Sequence, residues 1–329
     1  MSRILQAQHD RFALTHPFRI ARGSKVAADV VTVTIREGDA AGRGEAVPYA
    51  RYGETIESAL AAIEAVRPLI EQGGGRAELA AALPAGAARN ALDCALWDVE
   101  ARLARRPVAA LIGHPPPAPV PTALTVVIDT PDAMAAAAAA LAFAPVLKVK
   151  VDANDPGAQI RAVRGAAPDA ELIVDPNESW DRGLVERMQA VLLENKAALL
   201  EQPVPAGEDE WLEGFSPPIP ICADEAVHVA ADLDVVARRY QAVNVKLDKA
   251  GGLTAALELA HAARERGLGL MTGCMVSSSL SIAPALHVAA LSDFVDLDGP
   301  VWLREDRPNG VAFVGGILRP PAAGFWGTE

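Results

Sequence analysis

Cysteine is scarce in this sequence: its 329 residues include three, Cys94, Cys222 and Cys274. They form no C-x-x-C pair, and their number is odd. A disulfide framework needs paired cysteines, so a small disulfide-stabilised scaffold is disfavoured. Reduced thiols in a cytoplasmic protein are the simpler interpretation.

Basic residues and long apolar runs are also in short supply. Lys and Arg number 30 against 42 Asp and Glu, which gives a formal net charge of −12. That balance disfavours binding to nucleic acids or anionic membranes through a large basic surface. The most apolar tract, Met134 to Leu147, is rich in alanine and too short to span a bilayer. We therefore expect a soluble cytoplasmic protein with no nucleic-acid or membrane partner.

The composition is otherwise that of a folded protein, with 51% hydrophobic and 22% charged residues. A chain of this length predicts two domains, or one large barrel with a smaller unit. Strand patterns lie at about residues 3–8 and at residues 30–35, and helical spacing follows at residues 54–71 and 87–103. The first 120 residues therefore predict an α+β unit.

A proline-rich segment, residues 115–121, follows this unit. Because proline fixes φ and lacks an N–H group, we expect a stiff linker without regular structure, and a domain boundary, at this segment. Eight short apolar runs then alternate with helical patterns, at residues 123–128, 147–151, 172–174, 199–200, 219–223, 243–247, 268–272 and 294–297. Helices are expected after the first seven runs. This alternation predicts a (β/α) barrel.

Charged residues interrupt these runs near the carboxyl ends of the predicted strands. Their positions are Lys148, Lys150, Asp175, Glu201, Asp224, Lys246, Asp296 and Asp298. From Lys150 to Lys246, the members on successive strands lie 22 to 26 residues apart, which is one strand–helix unit. The carboxyl ends of barrel strands meet on one face, where barrel enzymes carry their active sites. The sequence therefore predicts that these side chains share one site.

Three carboxylates at close range cannot all stay ionised without a cation. Asp175, Glu201 and Asp224 offer only oxygen donors, which suit a hard octahedral ion, with Mg²⁺ the expected choice and Mn²⁺ the alternative. Lys150 and Lys246 lie on strands at opposite sides of these three. We therefore expect proton transfer at a carbon next to a carboxylate or carbonyl. One neutral lysine would remove the proton, and the other, protonated, would return it.

These elements resemble the muconate-lactonizing subgroup of the enolase superfamily. The matching sequences are Lys148-Val149-Lys150, Asp175-Pro176-Asn177, Glu201-Gln202-Pro203, Ala223-Asp224-Glu225 and Lys246-Leu247-Asp248-Lys249-Ala250-Gly251-Gly252. The resemblance covers essentially the whole chain and implies a (β/α)7β modified TIM barrel with an α+β capping domain. It implies a capping domain at residues 1–118, completed by residues 305–329, and a catalytic barrel at residues 119–304.

The resemblance also implies roles for the charged residues. The three carboxylates named above would bind Mg²⁺, and Lys150 and Lys246 would be the acid and base of an enolate mechanism. Lys148 would contact the substrate carboxylate and tune Lys150. The predicted strand that ends in Met271-Thr272-Gly273-Cys274 lacks the His-Asp arrangement of mandelate-racemase-like members, which implies the two-lysine group.

Within the subgroup, the similarity is greatest to dipeptide epimerases that act on L-Ala-D/L-Glu, isomerases whose implied substrate comes from murein turnover. Asp296 and Asp298 match a D-x-D motif that binds the α-ammonium of the dipeptide. Arg22 matches a capping-loop arginine that pairs with the Glu side chain. Other positions expected to line the dipeptide are Thr125, Cys274 and Val276. The tract Ser277-Ser278-Ser279 departs from the pattern, and its role is open.

Other interpretations stay open. The enzyme could epimerise a different dipeptide. It could also be a lyase such as o-succinylbenzoate synthase, or a muconate cycloisomerase, although substrates without an ammonium leave the D-x-D motif unexplained. A Schiff-base aldolase would use one lysine, and a non-catalytic dipeptide-binding protein would exchange no α-proton. The oligomeric state is also open, and a homo-oligomer is compatible with the sequence.

Overall fold

The computed structural model describes residues 3–328, and an antiparallel sheet opens the chain. Its strands are β1 (Arg3–Ile20), β2 (Gly23–Glu37) and β3 (Ala40–Ala46), in the order β1-β2-β3. The helices that follow are α1 (Ile56–Ala65), α2 (Arg67–Glu71), α3 (Arg76–Ala82), α4 (Ala87–Ala104) and α5 (Val108–Ile112). The predicted α+β unit is therefore present.

Two elements of this unit differ from their predicted extents. β1 runs far beyond residues 3–8, because it forms one long hairpin with β2. The helix expected at residues 54–71 is divided at Val66 into α1 and α2. Pro68, in the first turn of α2, explains the break, since it has no N–H group to donate to the preceding turn.

Helix α4 packs directly on β3, because glycines on the strand leave room for it. A Cβ atom at Gly44 would lie 2.1 Å from the carbonyl oxygen of Ala91, and one at Gly42 would lie 2.3 Å from that of Ala95. Apolar residues of the helix then pack against buried valines of the sheet. The buried members include Leu92, Leu96, Val31 and Val33.

The second half of the chain forms an eight-stranded parallel sheet that curls into a barrel. Its strands are β5 (Leu124–Val126), β6 (Val146–Lys150), β7 (Glu171–Asp175), β8 (Ala197–Glu201), β9 (Ile221–Ala223), β10 (Ala242–Val245), β11 (Gly269–Gly273) and β12 (Phe294–Asp296). The helices between them are α6 (Pro131–Ala140), α7 (Pro156–Ala166), α8 (Arg182–Glu194), α9 (Leu233–Arg239), α10 (Leu247–Ala250), α11 (Leu253–Glu265) and α12 (Ser279–Ala289). The predicted modified TIM barrel with a capping unit is confirmed.

One connection of the barrel differs from the prediction. The segment after β8 contains a single 3₁₀ turn, Glu210–Leu212, where a helix was expected. The prolines and glycines of residues 203–220 account for the difference, because both residue types disfavour a helix interior. No helix among residues 3–328 combines the length and apolar character that crossing a membrane requires.

The linker expected at residues 115–121 is not wholly irregular. Its last residues form β4 (Val120–Pro121), which pairs with β14 (Ile317–Arg319), and β14 pairs with β13 (Ala312–Val314). The resulting sheet has the order β13-β14-β4, so Pro121 lies on an edge strand, where a missing N–H group is tolerated. The prediction of no regular structure was wrong for these two residues.

The last residues of the chain return to the first unit. Trp326 donates its indole N–H to the carbonyl of Arg43 at 2.9 Å, and the amide of Gly327 donates to Asp98 at 2.8 Å. The domain boundaries after residues 118 and 304 stay a prediction.

Alternation along the barrel strands separates an apolar interior from a charged mouth. Inward-facing apolar residues form one buried cluster, which includes Ile173, Leu199, Cys222, Ala242 and Met271. Two residues further along three of these strands stand Asp175, Glu201 and Asp224. Because side chains of one face recur every second residue, the charged set points inward above the apolar layer, at the carboxyl ends of the strands.

The barrel closes between β12 and β5 with the help of side chains. The amide of Ala123 donates to the carbonyl of Val295 at 2.8 Å. The Thr122 hydroxyl accepts from the amide of Leu297 at 2.9 Å, and the Asp298 carboxylate accepts from the amide of Thr125 at 2.9 Å. This closure is called the seam below.

Candidate active site

A cavity of about 490 Å³ lies between the mouth of the barrel and the loops of the first unit. Ten of the predicted site residues line it: Arg22, Thr125, Lys148, Lys150, Asp224, Lys246, Cys274, Val276, Asp296 and Asp298. The remaining two, Asp175 and Glu201, end β7 and β8 and are fully buried beneath the lysines. The structure thus brings all the predicted residues to one place.

Lys148 connects three carboxylates at the floor of the cavity. Its Nζ lies 2.7 Å from Glu201 Oε2, 2.8 Å from Asp296 Oδ2 and 3.2 Å from Asp175 Oδ2. Burial on its own would lower the pKa of Lys148, but the charges of these carboxylates outweigh it and raise the pKa well above its usual value. Lys148 is therefore a fixed positive charge.

Lys150 and Lys246 stand on opposite sides of this group. Lys150 ends β6, Lys246 follows β10, and three strands separate them in the sheet. The Nζ of Lys150 lies 2.5 Å from Asp175 Oδ2, and that of Lys246 lies 2.7 Å from Asp224 Oδ2. Burial opposes protonation of Lys246, but the charge of Asp224 more than compensates and raises its pKa. A ligand between the two lysines would have an amine on each face.

The lysines do not stabilise the three carboxylates equally. Burial favours a protonated Asp175, but the ammonium groups of Lys150 and Lys148 lower its pKa below the usual range. Glu201 behaves in the opposite way: burial, and then the charge of Asp175, raise its pKa. A divalent cation next to Glu201 would favour its ionised form.

The donor set fits a hard cation such as Mg²⁺. The Oε1 atom of Glu201 accepts from the Asn244 amide at 2.8 Å, whereas Oε2 is buried and has no hydrogen-bond partner. This Oε2 atom lies close to Lys148, in a geometry that makes an ion pair without a hydrogen bond. No three His, Cys, Asp or Glu side chains among residues 3–328 already stand at metal-binding spacing. Lys148 lies between Asp175 and Glu201 instead.

Residues next to the predicted ligands hold them in place, and the sequence analysis gave no role to two of them. The Gln202 side-chain oxygen accepts from the amides of Asp224 at 2.8 Å and Ala226 at 3.1 Å. Gln202 has φ 29°, which is unusual for a residue other than glycine. Asn244, in the same role for Glu201, is fully buried on β10. Gln202 and Asn244 could have been identified from the sequence, because both lie next to the charged residues that end the strands.

Asp296 and Asp298 form an acidic wall of the cavity. The Oδ2 atom of Asp296 accepts from Lys148, but its Oδ1 atom is buried without a hydrogen-bond partner. Asp298 accepts from the amide of Thr125 and from the indole of Trp302, at 2.9 and 3.2 Å. Burial, and then the charge of Asp296, raise the pKa of Asp298. A cationic group of a ligand would stabilise both carboxylates.

Loops of the first unit close the other end of the cavity through ion pairs. Arg22 donates through Nη1 to Glu178 at 2.9 Å and through Nη2 to Glu225 at 2.5 Å. Arg51 donates to the same Glu178 through Nε and Nη2, both at 2.8 Å. Asn177 and Glu178 have φ values of 49° and 67°, a left-handed conformation that directs the loop after β7 toward these arginines. Sequence reasoning missed Arg51 and Glu178, because their partners come from distant loops.

The serine tract supports the wall next to Cys274 and Val276. The amide of Ser278 donates to Glu45 at 2.8 Å, and its hydroxyl donates to the same carboxylate. Ser279 donates to Asp306 through its amide at 3.0 Å and through its hydroxyl. The tract thus attaches the start of α12 to β3 and to the C-terminal segment, and its hydroxyl groups do not line the cavity.

Two family models match the chain. The enolase C-terminal domain-like family matches residues 132–325. The N-terminal domain of the mandelate racemase and muconate lactonizing enzymes matches residues 4–113. Among solved structures, an enolase family member from Agrobacterium tumefaciens with homology to dipeptide epimerases, with bound sodium and L-Ala-L-Glu, superposes with a TM-score of 0.96 at 46% identity, over 99% of this chain and 100% of its own. A dipeptide epimerase from Methylococcus capsulatus, complexed with Mg and L-Arg-D-Lys, has a TM-score of 0.86 at 34% identity, over 97% of each chain.

Proteins of similar sequence are also epimerases and racemases. The L-Ala-D/L-Glu epimerase of Escherichia coli is 49% identical over 96% of this chain and 99% of its own length. The N-acetyl-D-glutamate racemase of a Pseudoalteromonas species is 44% identical over 91% of this chain and 95% of its own length. The barrel and the capping unit agree with these matches. The chain therefore belongs to the enolase superfamily, with the capping domain of the mandelate racemase and muconate lactonizing enzymes.

Proposed function

We propose that this protein is a Mg²⁺-dependent dipeptide epimerase, which inverts the α-carbon of the C-terminal residue of L-Ala-D/L-Glu. The observation that carries the proposal is the placement of Lys150 and Lys246 on opposite sides of one group of carboxylates. Inversion needs a proton removed from one face of a carbon and returned on the other, and two lysines in this arrangement supply both partners. We place the reaction in the cytoplasm, on peptides from murein turnover.

Asp175, Glu201 and Asp224 would hold the metal ion. When bound, Mg²⁺ supplies positive charge that stabilises the carboxylate of the substrate as its α-proton leaves. The Oε2 atom of Glu201, which accepts no hydrogen bond, and the raised pKa of that residue support a cation here. The Mg²⁺ in the Methylococcus capsulatus epimerase supports the same choice of ion. Lys148, a permanent positive charge, would face the substrate carboxylate from the side.

Asp296 and Asp298 would bind the α-ammonium of the dipeptide. The buried Oδ1 of Asp296 lacks a hydrogen-bond donor, and an ammonium group supplies three. This contact separates the proposal from a second candidate, an N-acylglutamate racemase, which the similarity to the Pseudoalteromonas enzyme favours. An N-acylated amino acid carries no positive charge to offset two buried carboxylates, so we place the free dipeptide first.

Proton NMR in D₂O tests the proposal directly. The enzyme is incubated with Mg²⁺ and with L-Ala-L-Glu, L-Ala-D-Glu or N-acetyl-D-glutamate. We expect loss of the Glu α-proton signal and appearance of the second diastereomer for both dipeptides, with no exchange after treatment with a chelator. The Lys150→Ala/Lys246→Ala double variant is the inactive control. Turnover of N-acetyl-D-glutamate alone would establish the second candidate, and exchange that survives chelation would contradict the metal assignment.

A further inference from the structure

Helix α4 of the capping unit contacts the barrel segment that directly follows Lys246. Lys246 precedes the one-turn helix α10, and two glycines separate α10 from α11. The contacting side chains lie on one face of α4, at positions one, three or four residues apart: Arg89, Asn90, Asp93 and Trp97. The capping unit therefore reaches the strand end that carries one of the two acid–base lysines.

Asn90 holds the start of α10. Its Nδ2 atom donates to Asp248 Oδ1 at 2.8 Å, and the amide of Val47 donates to the same oxygen at 2.9 Å. Asp248 is buried, so its carboxylate depends on these two donors from the capping unit. Because Asp248 stands two residues after Lys246, these contacts fix the backbone next to the lysine.

Arg89 holds the end of the same short helix. Its Nη2 atom donates to the carbonyl of Ala250 at 2.6 Å, and its Nε atom donates to that of Gly251 at 3.2 Å. The last carbonyls of a helix have no partner within the helix, and a basic side chain can satisfy them. For α10 this side chain comes from the capping unit.

Asp93 caps α11, whose N-cap residue, Gly252, has no side chain to do so. Its Oδ2 atom accepts from the amide of Thr254 at 3.0 Å, and its Oδ1 atom accepts from the Thr254 hydroxyl at 2.6 Å. A Cβ atom at Gly252 would lie 2.4 Å from the Cβ of Asp93, and one at Gly251 would lie 2.3 Å from Nε of Arg89. The two glycines thus allow α4 to approach the turn between α10 and α11 closely.

The segment after Lys150 is held from within the barrel instead. The amide of Asp152 donates to the side chain of Gln159 on α7 at 3.2 Å, and the carbonyl of Asp152 accepts from the indole of Trp180 at 2.9 Å. Trp180 lies between β7 and α8. The two lysines therefore depend on different parts of the molecule for their placement.

We propose that helix α4 positions Lys246 for proton transfer through Asn90 and Arg89, so that the capping unit sets the placement of one acid–base lysine and not of the other. This inference rests on the proposed function and deepens it. Neither side chain lines the cavity, so both are positioning residues that act through α10. The carbonyl of Lys246 accepts from the amides of Lys249 and Ala250 at 3.1 and 3.0 Å, which ties the lysine to this helix.

Variants with a single acid–base lysine test the assignment. Lys150→Ala leaves Lys246 as the base, and Lys246→Ala leaves Lys150. Asn90→Leu, whose side chain has the same branching but donates no hydrogen bond, should lower α-proton exchange by about tenfold or more in the Lys150→Ala background, because a displaced base loses its alignment. In the Lys246→Ala background the loss should be less than about twofold. Proton NMR in D₂O, with the diastereomer that each background exchanges, measures both rates.

Arg89→Met should show the same asymmetry, and Arg89→Lys, which can still donate to a carbonyl, should restore part of the rate. Arg89 is only partly buried, so this pair of variants tests the inference even if Asn90→Leu fails to fold. Arg102→Met is the matched control, because Arg102 stands on the same helix and donates to the carbonyl of Gly324 at 3.1 Å, away from α10. It should change exchange by the same factor in both backgrounds. Equal losses from Arg89→Met in the two backgrounds, or no loss in either, would overturn the role of α4.

Amide hydrogen–deuterium exchange separates this inference from the proposed function, because it needs no turnover. Mass spectrometry of Asn90→Leu and Arg89→Met, with both acid–base lysines present, should show faster exchange at residues 246–256 and unchanged exchange at residues 147–157. That result, in a protein whose parent exchanges no dipeptide α-proton, would overturn the function and keep α4 as the element that holds the Lys246 segment. Epimerisation by the parent, with no change at residues 246–256 in the variants, would do the reverse.

Discussion

The chemistry of this protein depends on lysines that differ in what surrounds them. Lys148 contacts three carboxylates and stays charged, whereas Lys150 and Lys246 each contact one carboxylate and face the cavity. A fourth lysine, Lys249, is buried and donates to Asp224 at 2.6 Å, so it supports that carboxylate from below. A lysine that contacts one carboxylate and lines the cavity is free to react, as Lys150 and Lys246 are. A lysine that contacts several carboxylates, or that does not line the cavity, has a structural or electrostatic role.

Removal of one reactive lysine should separate exchange from inversion. Lys150→Ala and Lys246→Ala should each abolish epimerisation, with kcat lower by at least about 10³-fold, because no group returns the proton on the empty face. Each variant should still exchange the α-proton of the one diastereomer whose proton faces the remaining lysine. Proton NMR of each dipeptide in D₂O measures both reactions. Normal epimerisation by either variant would refute the two-lysine mechanism.

His287 on α12 gives the stability of the protein a pH dependence. The ring is 4% exposed, and its Nδ1 has no hydrogen-bond partner. Burial, and then the neighbouring His114, lower its pKa to about 4 from an ordinary value of 6.5. Between these values the unfolded chain binds a proton that the folded protein does not, so the free energy of unfolding falls as the pH falls from 6.5 to 4. The loss amounts to about 3 kcal/mol at about 1.4 kcal/mol per pKa unit.

Urea unfolding at pH 4.5, 5.5 and 6.5 measures this dependence. His287→Gln, which cannot titrate, should flatten that part of the slope, and His16→Gln, at an exposed ring, is the matched control. An unchanged slope in His287→Gln would show that other groups cause the dependence.

The sequence predicted the part of the site that is built from the ends of the barrel strands. Carboxylates and lysines spaced by one strand–helix unit predicted the mouth of the barrel, since only the register of the strands is needed to bring them together. The same logic is incomplete at Arg22. A guanidinium suits a carboxylate, but the sequence does not show that Glu178 and Glu225, more than 150 residues away, already occupy it. Ion pairs between distant loops depend on the tertiary fold.

Local sequence patterns were sufficient to predict some strands and not others. The buried barrel strands are short apolar runs, and the sequence predicted them. β4 contains Pro121 and has two residues, so its strand character comes from its pairing with β14. β1 was underestimated because its outer half is exposed and carries charged residues, such as Arg11 and Arg19, that break the alternation. Both exceptions depend on partner strands.

Contact between α4 and β3 requires the absence of a side chain at Gly44. Gly44→Ala should lower the free energy of unfolding by more than about 2 kcal/mol, because the added Cβ would lie 2.1 Å from the carbonyl oxygen of Ala91 and neither backbone can yield cheaply. Gly165→Ala, in α7 with open space around it, should raise stability by up to about 1 kcal/mol, because alanine favours the helix. Urea unfolding measures both. Equal effects of the two variants would contradict this account of the packing.

Capping unit and barrel are joined by Arg307 from the C-terminal segment. Its guanidinium donates to Glu45 of β3 at 2.8 Å, to Asp10 of β1 at 2.9 Å and to the hydroxyl of Ser278 beside α12 at 2.8 Å. The Glu45 side chain is fully buried. One residue thus links the sheet of the cap to the barrel helix whose start supports the cavity wall.

Arg307→Met should therefore destabilise the folded protein by about 3–5 kcal/mol, because the buried Glu45 charge would be left without its partner. Arg238→Met, which removes an exposed pair with Glu213, should cost less than about 1 kcal/mol. Thermal and urea unfolding compare the two. A cost below about 1 kcal/mol for Arg307→Met would show that the link carries no stability. Adding Glu45→Gln to Arg307→Met should recover part of the loss.

The seam of the barrel has a consequence for how this enzyme acquires new substrates. Asp298 lines the cavity and also accepts the amide of Thr125, which helps to close β5 against β12. An evolutionary change of ligand preference at Asp298 therefore weakens the closure of the barrel and carries a cost in stability. Val276 also lines the cavity but takes no part in this closure. Natural variation in substrate preference should accumulate at lining positions of that kind, where a change of recognition leaves the closure of the barrel intact.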